Sequence, residues 1–141
     1  MSFDTLGDLN WLAVIVAAVL WFALGAAWYH PAVLGKPWMR SVDWDPEAPP
    51  PAMTTMSYVG PFVAYLVGAI AIGMLALATA SDTFGEGLVL GLVVGVGISA
   101  ALFYVTAVFD PQKKEPMTWF WISGLYHLIG IVVAAVLVSI W

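Results

Sequence analysis

Four long apolar runs alternate with short polar connections along this chain of 141 residues. A bilayer core about 30 Å thick is crossed by roughly 20 residues rising 1.5 Å each. On that rule the runs predict helices over about 9–29, 57–79, 86–109 and 117–140. The boundaries carry residues that end or begin helices. His30-Pro31 follows the first run, Pro49–Pro51 precedes the second as a stiff connector, and Asp110-Pro111 follows the third. Pro61 is expected in the first turn of the second helix, where a missing N–H is harmless. A membrane β-barrel would alternate apolar and polar positions over segments of about 10 residues, and these runs are continuous. The expected fold is all-α: a single polytopic transmembrane domain over 1–141, with four transmembrane helices in a compact bundle.

Composition adds the solvent. The chain is 62% hydrophobic and only 9% charged, against roughly 25% charged in a soluble domain. Without cysteine it has no disulfide, thiolate nucleophile or thiolate metal site. A net charge of −5 leaves no basic face for nucleic acid. Asp4 and Asp8 stand where a signal peptide would be basic, so the first run is expected to be retained as a helix.

Charge position adds orientation. Lys36 and Arg40 follow the first run, and Lys113 and Lys114 follow the third. Asp4, Asp8, Asp82 and Glu86 mark the opposite side, which has no Lys or Arg. The positive-inside rule then places 30–56 and 110–116 in the cytoplasm, with both termini outside a cell membrane. A link between the two basic connections, from Lys36 or Arg40 to Asp110, is one expectation from this arrangement. Trp11, Trp28, Trp38, Trp119 and Trp141 fall near span ends, where indoles favour the interface, while Trp21 lies deeper as a helix-packing residue. Between Pro31 and Val42, apolar Val33, Leu34, Trp38 and Met39 interleave with Lys36 and Arg40. That mixture predicts a short interfacial segment after the first helix, apolar side toward lipid and cations toward phosphates.

Two stripes inside the spans are candidates for function. Gly87, Gly91, Gly95 and Ser99 recur every four residues and form a ridge that lets another backbone approach closely. The ridge serves packing within the bundle, self-association or a lipid groove. In the fourth span Ser123 and His127 share a face with Gly130 and Ala134. His127 lies near mid-depth, where an ionisable side chain marks either a ligand or proton site or one interhelical hydrogen bond. Tyr104 and Tyr65 are the hydroxyl partners expected for it. No carboxylate lies deep in a span to complete a proton relay, and no catalytic set, metal-ligand set or cofactor motif is present.

The residues also resemble a known family. Asn10-Trp11-Leu12-Ala13 opens the first span, whose end reads Gly25-Ala26-Ala27-Trp28-Tyr29-His30-Pro31. Gly35-Lys36 and Trp38-Met39 follow, then Phe109-Asp110 and Tyr126-His127. This pattern is similar to that of the domain-of-unknown-function 1761 family of small membrane proteins. Two features depart from it: His30 in place of a small polar residue, and a first connection rich in proline and acid. The resemblance implies a four-helix membrane fold and brings no activity. The expected function is a non-enzymatic, homo-oligomeric membrane module, most simply a dimer, that binds helices, lipid or other membrane subunits. A small transporter or channel with a path near His127 at a subunit interface is the alternative.

Overall fold

The computed structural model describes residues 2–49 and 52–141; Pro50 and Pro51 of the expected connector lie outside them. It is all-helical. After a 3-10 turn at Phe3–Gly7, α1 runs over Trp11–Trp28. A π-helical turn at Pro31–Gly35 leads into the short α2, Lys36–Ser41, and α3 follows over Met56–Thr79. The third long element comprises α4 (Phe84–Val94), a π-helical stretch at Gly95–Ala100 and α5 (Ala101–Phe109). The last is α6, Pro116–Ile140. Four helices are long and apolar enough to cross a membrane: α1, α3, the continuous Phe84–Phe109 and α6.

Local chemistry sets the ends. Asn10 caps α1 by accepting the Ala13 N–H, and its amide also donates to the Trp141 carbonyl at 3.1 Å. That bond ties the start of α1 to the chain's last residue and places them on one side of the bundle. Thr83 and Glu86 form a capping box at the start of α4, each side chain accepting from the other's backbone N–H. Pro61 is the sixth residue of α3 rather than a first-turn residue, because the helix begins at Met56.

Helix α6 is central. Half of its most apolar 18-residue window is buried, against 11% for that of Phe84–Phe109. It packs against α1, α3, α4 and α5, whereas α3 and α4 meet only sparsely. The core joins Val14, Ala17, Ala18 and Trp21 of α1, Ala69 and Ile72 of α3, and Tyr126, Ile131, Ala134 and Ala135 of α6.

The glycine ridge faces α6 within the same chain. A Cβ on Gly87 would sit 2.9 Å from the Val136 Cα, and one on Gly91 would sit 2.7 Å from the Val132 Cα. At Gly95 it would meet Leu128 Cδ1 at 2.5 Å. At Gly87 and Gly91 only a missing side chain permits this approach to backbone, whereas at Gly95 the contact is with the end of a movable side chain. Ser99, the last member of the stripe, lies half-buried in the π-helical stretch.

Candidate functional site: an aromatic pocket at the basic side

The opposite flank of α6 is built from rings. Tyr126 is 1% exposed, and its hydroxyl donates to the Trp21 carbonyl at 2.9 Å. Gly25 makes room for it: a Cβ there would lie 2.8 Å from the Tyr126 hydroxyl oxygen. Trp21 itself is wedged between α3 and α6. A Cβ on Gly68 would come within 3.2 Å of its ring, and one on Gly130 would collide with the pyrrole edge. The Trp21 ring also stacks on Tyr65, with centroids 5.0 Å apart. Its Nε1 is buried without a hydrogen-bond partner. Because that edge abuts Gly130, it marks tight contact rather than a binding space.

His127 lies inside this ring system. It stacks on Phe103 at 4.7 Å and touches Tyr126, Tyr65 and Trp21 through their rings. Rings therefore surround the imidazole where a hydroxyl was expected, and it makes no hydrogen bond among the described residues. Tyr104 is 51% exposed and sets its ring edge-on to Phe120, away from His127. Tyr65 is adjacent only through ring contact. Ser123, one turn from His127 and 3% exposed, accepts the Trp38 Nε1–H at 3.2 Å. The stripe of Ser123 and His127 thus divides: one residue anchors the interfacial segment, and the other completes an aromatic cluster.

That anchoring shapes the basic side. His30 Nδ1 accepts the Ala32 N–H and starts the turn after α1. Gly35 sits against the carbonyls of Tyr29 and His30, where any Cβ would strike backbone. The turn directs α2 back over the start of α6 and presents Trp38 to Ser123. Trp38 then lies edge-to-face with Tyr29 at 5.4 Å and with Trp44 at 6.5 Å. Trp28 clamps α1 to α6 by donating from Nε1 to the Ile122 carbonyl at 3.0 Å. Ser41 is fully buried; its hydroxyl donates to the Trp38 carbonyl, and its own carbonyl accepts the Glu115 N–H. The short segment is helical as expected, but Trp38 faces the bundle rather than lipid. Of the remaining motif positions, Trp11 is exposed at the other end of α1 and Pro31 opens the π-helical turn.

Ion pairs differ from the expected link. Lys36 pairs with Glu47 at 2.9 Å, and Lys113 pairs with Asp110 at 2.9 Å while its ammonium lies over the Trp119 ring. Lys114 reaches Asp43 at 2.6 Å and is the charge that joins the two connections. The short connection after α5 projects Lys114 toward Asp43 and spends Asp110 locally on Lys113. The Lys113 ammonium accordingly holds the Asp110 carboxyl below its ordinary pKa, and Asp43 raises that of Lys114.

Between α1 and α3, under α2, these rings leave a cavity of about 560 Å³. Phe22, Tyr29, Trp38, Trp44, Tyr58 and Tyr65 form most of its aromatic wall, with Tyr126 at its base and Ala26 at its rim. Ser57 and Pro61 line it as well. Proline has no N–H, so the Ser57 carbonyl four residues back lacks its usual intrahelical donor. The volume falls within the roughly 300–1,000 Å³ of small-molecule sites. Tyr58 and Trp44 were not legible as site residues, and Tyr65 was expected only as a hydroxyl partner of His127, because ring contacts between separate elements leave no sequence spacing. The legible hints were Gly25, Tyr29 and Trp38 of the family-like motif, which line the pocket together.

The family model described as "Protein of unknown function (DUF1761)" matches residues 12–139. The chain belongs to that family. No curated protein and no solved structure matches it.

Proposed function

We propose that this family member is a non-enzymatic membrane module that holds a bilayer-dissolved amphiphile in the pocket between α1 and α3. The aromatic cavity beside the interfacial segment carries this reading. It is concave, largely apolar and placed at the bundle's basic end, where Trp38 and Trp44 lie beyond the end of α1, as indoles at a membrane interface would. The charge split supports a reading in which that end lies in the cytoplasmic leaflet of a cell membrane, with both termini outside. Cysteines substituted for Lys36 and Lys113 should label from the cytoplasmic side; labelling from outside would reverse the orientation.

A polar path near His127 has less support. Its ring is enclosed by aromatic rings, the Ser123 hydroxyl is occupied by Trp38, and Tyr104 points away. For the homo-oligomer, most simply a dimer, the inward-facing glycine ridge leaves the outer face of Phe84–Phe109, the least buried of the four long helices, as one available surface. Val89, Val93, Val96 and Leu102 are exposed there.

Native mass spectrometry from mild detergent tests the central reading. The wild-type chain should retain one lipid mass, and Ala26→Trp, which fills the cavity from an exposed position, should lose it. Equal retention by both proteins would refute a lipid held in this pocket. The same spectra report subunit number, and a monomer in both detergent and nanodiscs would refute the dimer.

A further inference from the structure

We propose that the amphiphile is a zwitterionic glycerophospholipid, with an acyl chain in the aromatic pocket and a phosphate–ammonium headgroup in the polar recess beside it. This deepens the lipid-holding reading above and rests on it. The two cavities share Trp44 as a common wall. The recess, about 360 Å³, is lined also by Arg40, Asp43, Asp45, Lys114 and Glu115. An aromatic pocket that shares an indole wall with a charged recess matches the chain-to-headgroup order of a bilayer lipid.

The charges in the recess select the headgroup. Lys114 is bound to Asp43 at 2.6 Å, so that pair is internally satisfied. Arg40 makes no ion pair among the described residues, although it is exposed beside these acids. Asp45 accepts the Glu47 N–H and forms no ion pair among the described residues, whereas Glu115 accepts the Thr118 hydroxyl and lies close enough to Lys114 to help raise its pKa without pairing directly. One unpaired guanidinium, Arg40, and one unpaired carboxylate, Asp45, therefore line a single space, with Glu115 adding negative charge beside them. A guanidinium binds phosphate through paired N–H donors. A headgroup ammonium is then the cation that Asp45 lacks. An anionic headgroup without an amine would satisfy Arg40 but set hydroxyls and net negative charge against Asp45 and Glu115. A simple lipophilic cation would meet the carboxylates and be opposed by Arg40.

Titration of the purified full-length chain with phosphatidylethanolamine and phosphatidylglycerol of identical acyl chains, read by native mass spectrometry, tests this. Phosphatidylethanolamine should bind about tenfold more tightly, the ratio set by roughly one charge-assisted contact. Arg40→Gln should weaken it by about tenfold, whereas Lys36→Gln, outside both cavities and paired with Glu47, should not. Equal binding of the two lipids, or no effect of Arg40→Gln, would overturn the headgroup assignment. If Ala26→Trp still abolished both in that case, the lipid-holding reading would stand alone. Binding of both lipids undiminished by Ala26→Trp would overturn both.

Discussion

The two flanks of α6 solve the same problem with opposite materials. Toward α4, Gly87 and Gly91 bring backbones together, so Val132 and Val136 meet a helix with no intervening side chain. Toward α1 and α3, contact is made by large rings held at fixed points by single polar hooks: Tyr126 to Trp21, Trp28 to Ile122 and Trp38 to Ser123. Lipid tails are as apolar as leucine, so helix association in a membrane relies on close contact and interhelical hydrogen bonds. The glycine flank uses the first and the aromatic flank both. Glycine against backbone leaves no space, whereas rings meeting edge-to-face leave the 560 Å³ cavity. A site for a guest belongs to the ring-built flank.

The largest effect expected from breaking this contrast is on the glycine side. Gly91→Leu should destabilise the bundle by about 3 kcal/mol, the upper part of the usual range for overpacking, because its first carbon would meet the Val132 backbone. Gly97→Leu, with nothing within 4 Å of its Cβ position, should be nearly silent in the same thermal unfolding assay. Equal effects from the two would deny that the ridge is used within the chain.

On the ring side, Tyr126→Phe removes one buried hydroxyl bond and keeps the ring. About 1 kcal/mol should be lost, in line with interhelical hydrogen bonds in membranes. A smaller effect is expected from Ser123→Ala, which frees the Trp38 indole without disturbing the helices. Hydrogen exchange should rise over residues 31–41 and stay unchanged in α4, and a uniform rise would contradict a local anchor.

The smallest effect concerns the ion pairs at the basic side, half-buried for Lys113–Asp110 and exposed for Lys114–Asp43. Asp110 has a depressed pKa, so its contribution is present above the ordinary value of 3.8 and is lost only as pH falls through the lower folded value. Lys114 has a raised pKa, so its contribution is present below 10.5 and lost only as pH climbs through the higher folded value. Neither pair should change stability between about pH 5 and 9, and Lys114→Gln should hardly shift the melting temperature. A steep pH dependence in that window, abolished by Lys114→Gln, would show that the link between the connections matters more than its exposure allows.

Hydropathy made the spans legible nearly to the residue, since the length a bilayer demands is a one-dimensional property. The third helix starts at Phe84 rather than at Glu86 because Thr83 and Glu86 cap it, a pairing visible in sequence but passed over for the charge. The π-helical stretch at Gly95–Ala100 was not legible, because a wider turn does not alter the apolar run. The ridge spacing was readable, but its direction was not: the same period serves a partner chain or α6. His127 drew attention as a lone ionisable group at mid-depth. The surrounding rings come from α1, α3, α5 and α6, and only the tertiary fold brings them together.

The pocket is tested most directly by photocrosslinking a phospholipid with a diazirine on its acyl chain to the protein in nanodiscs, followed by peptide mapping. Adducts should concentrate on Tyr29, Tyr58 and Tyr65, and Ala26→Trp should remove them while sparing weaker labelling of the outer face of α4 and α5. Labelling spread evenly over exposed Val93, Leu102 and Tyr58, and unchanged by Ala26→Trp, would contradict a lipid site between α1 and α3.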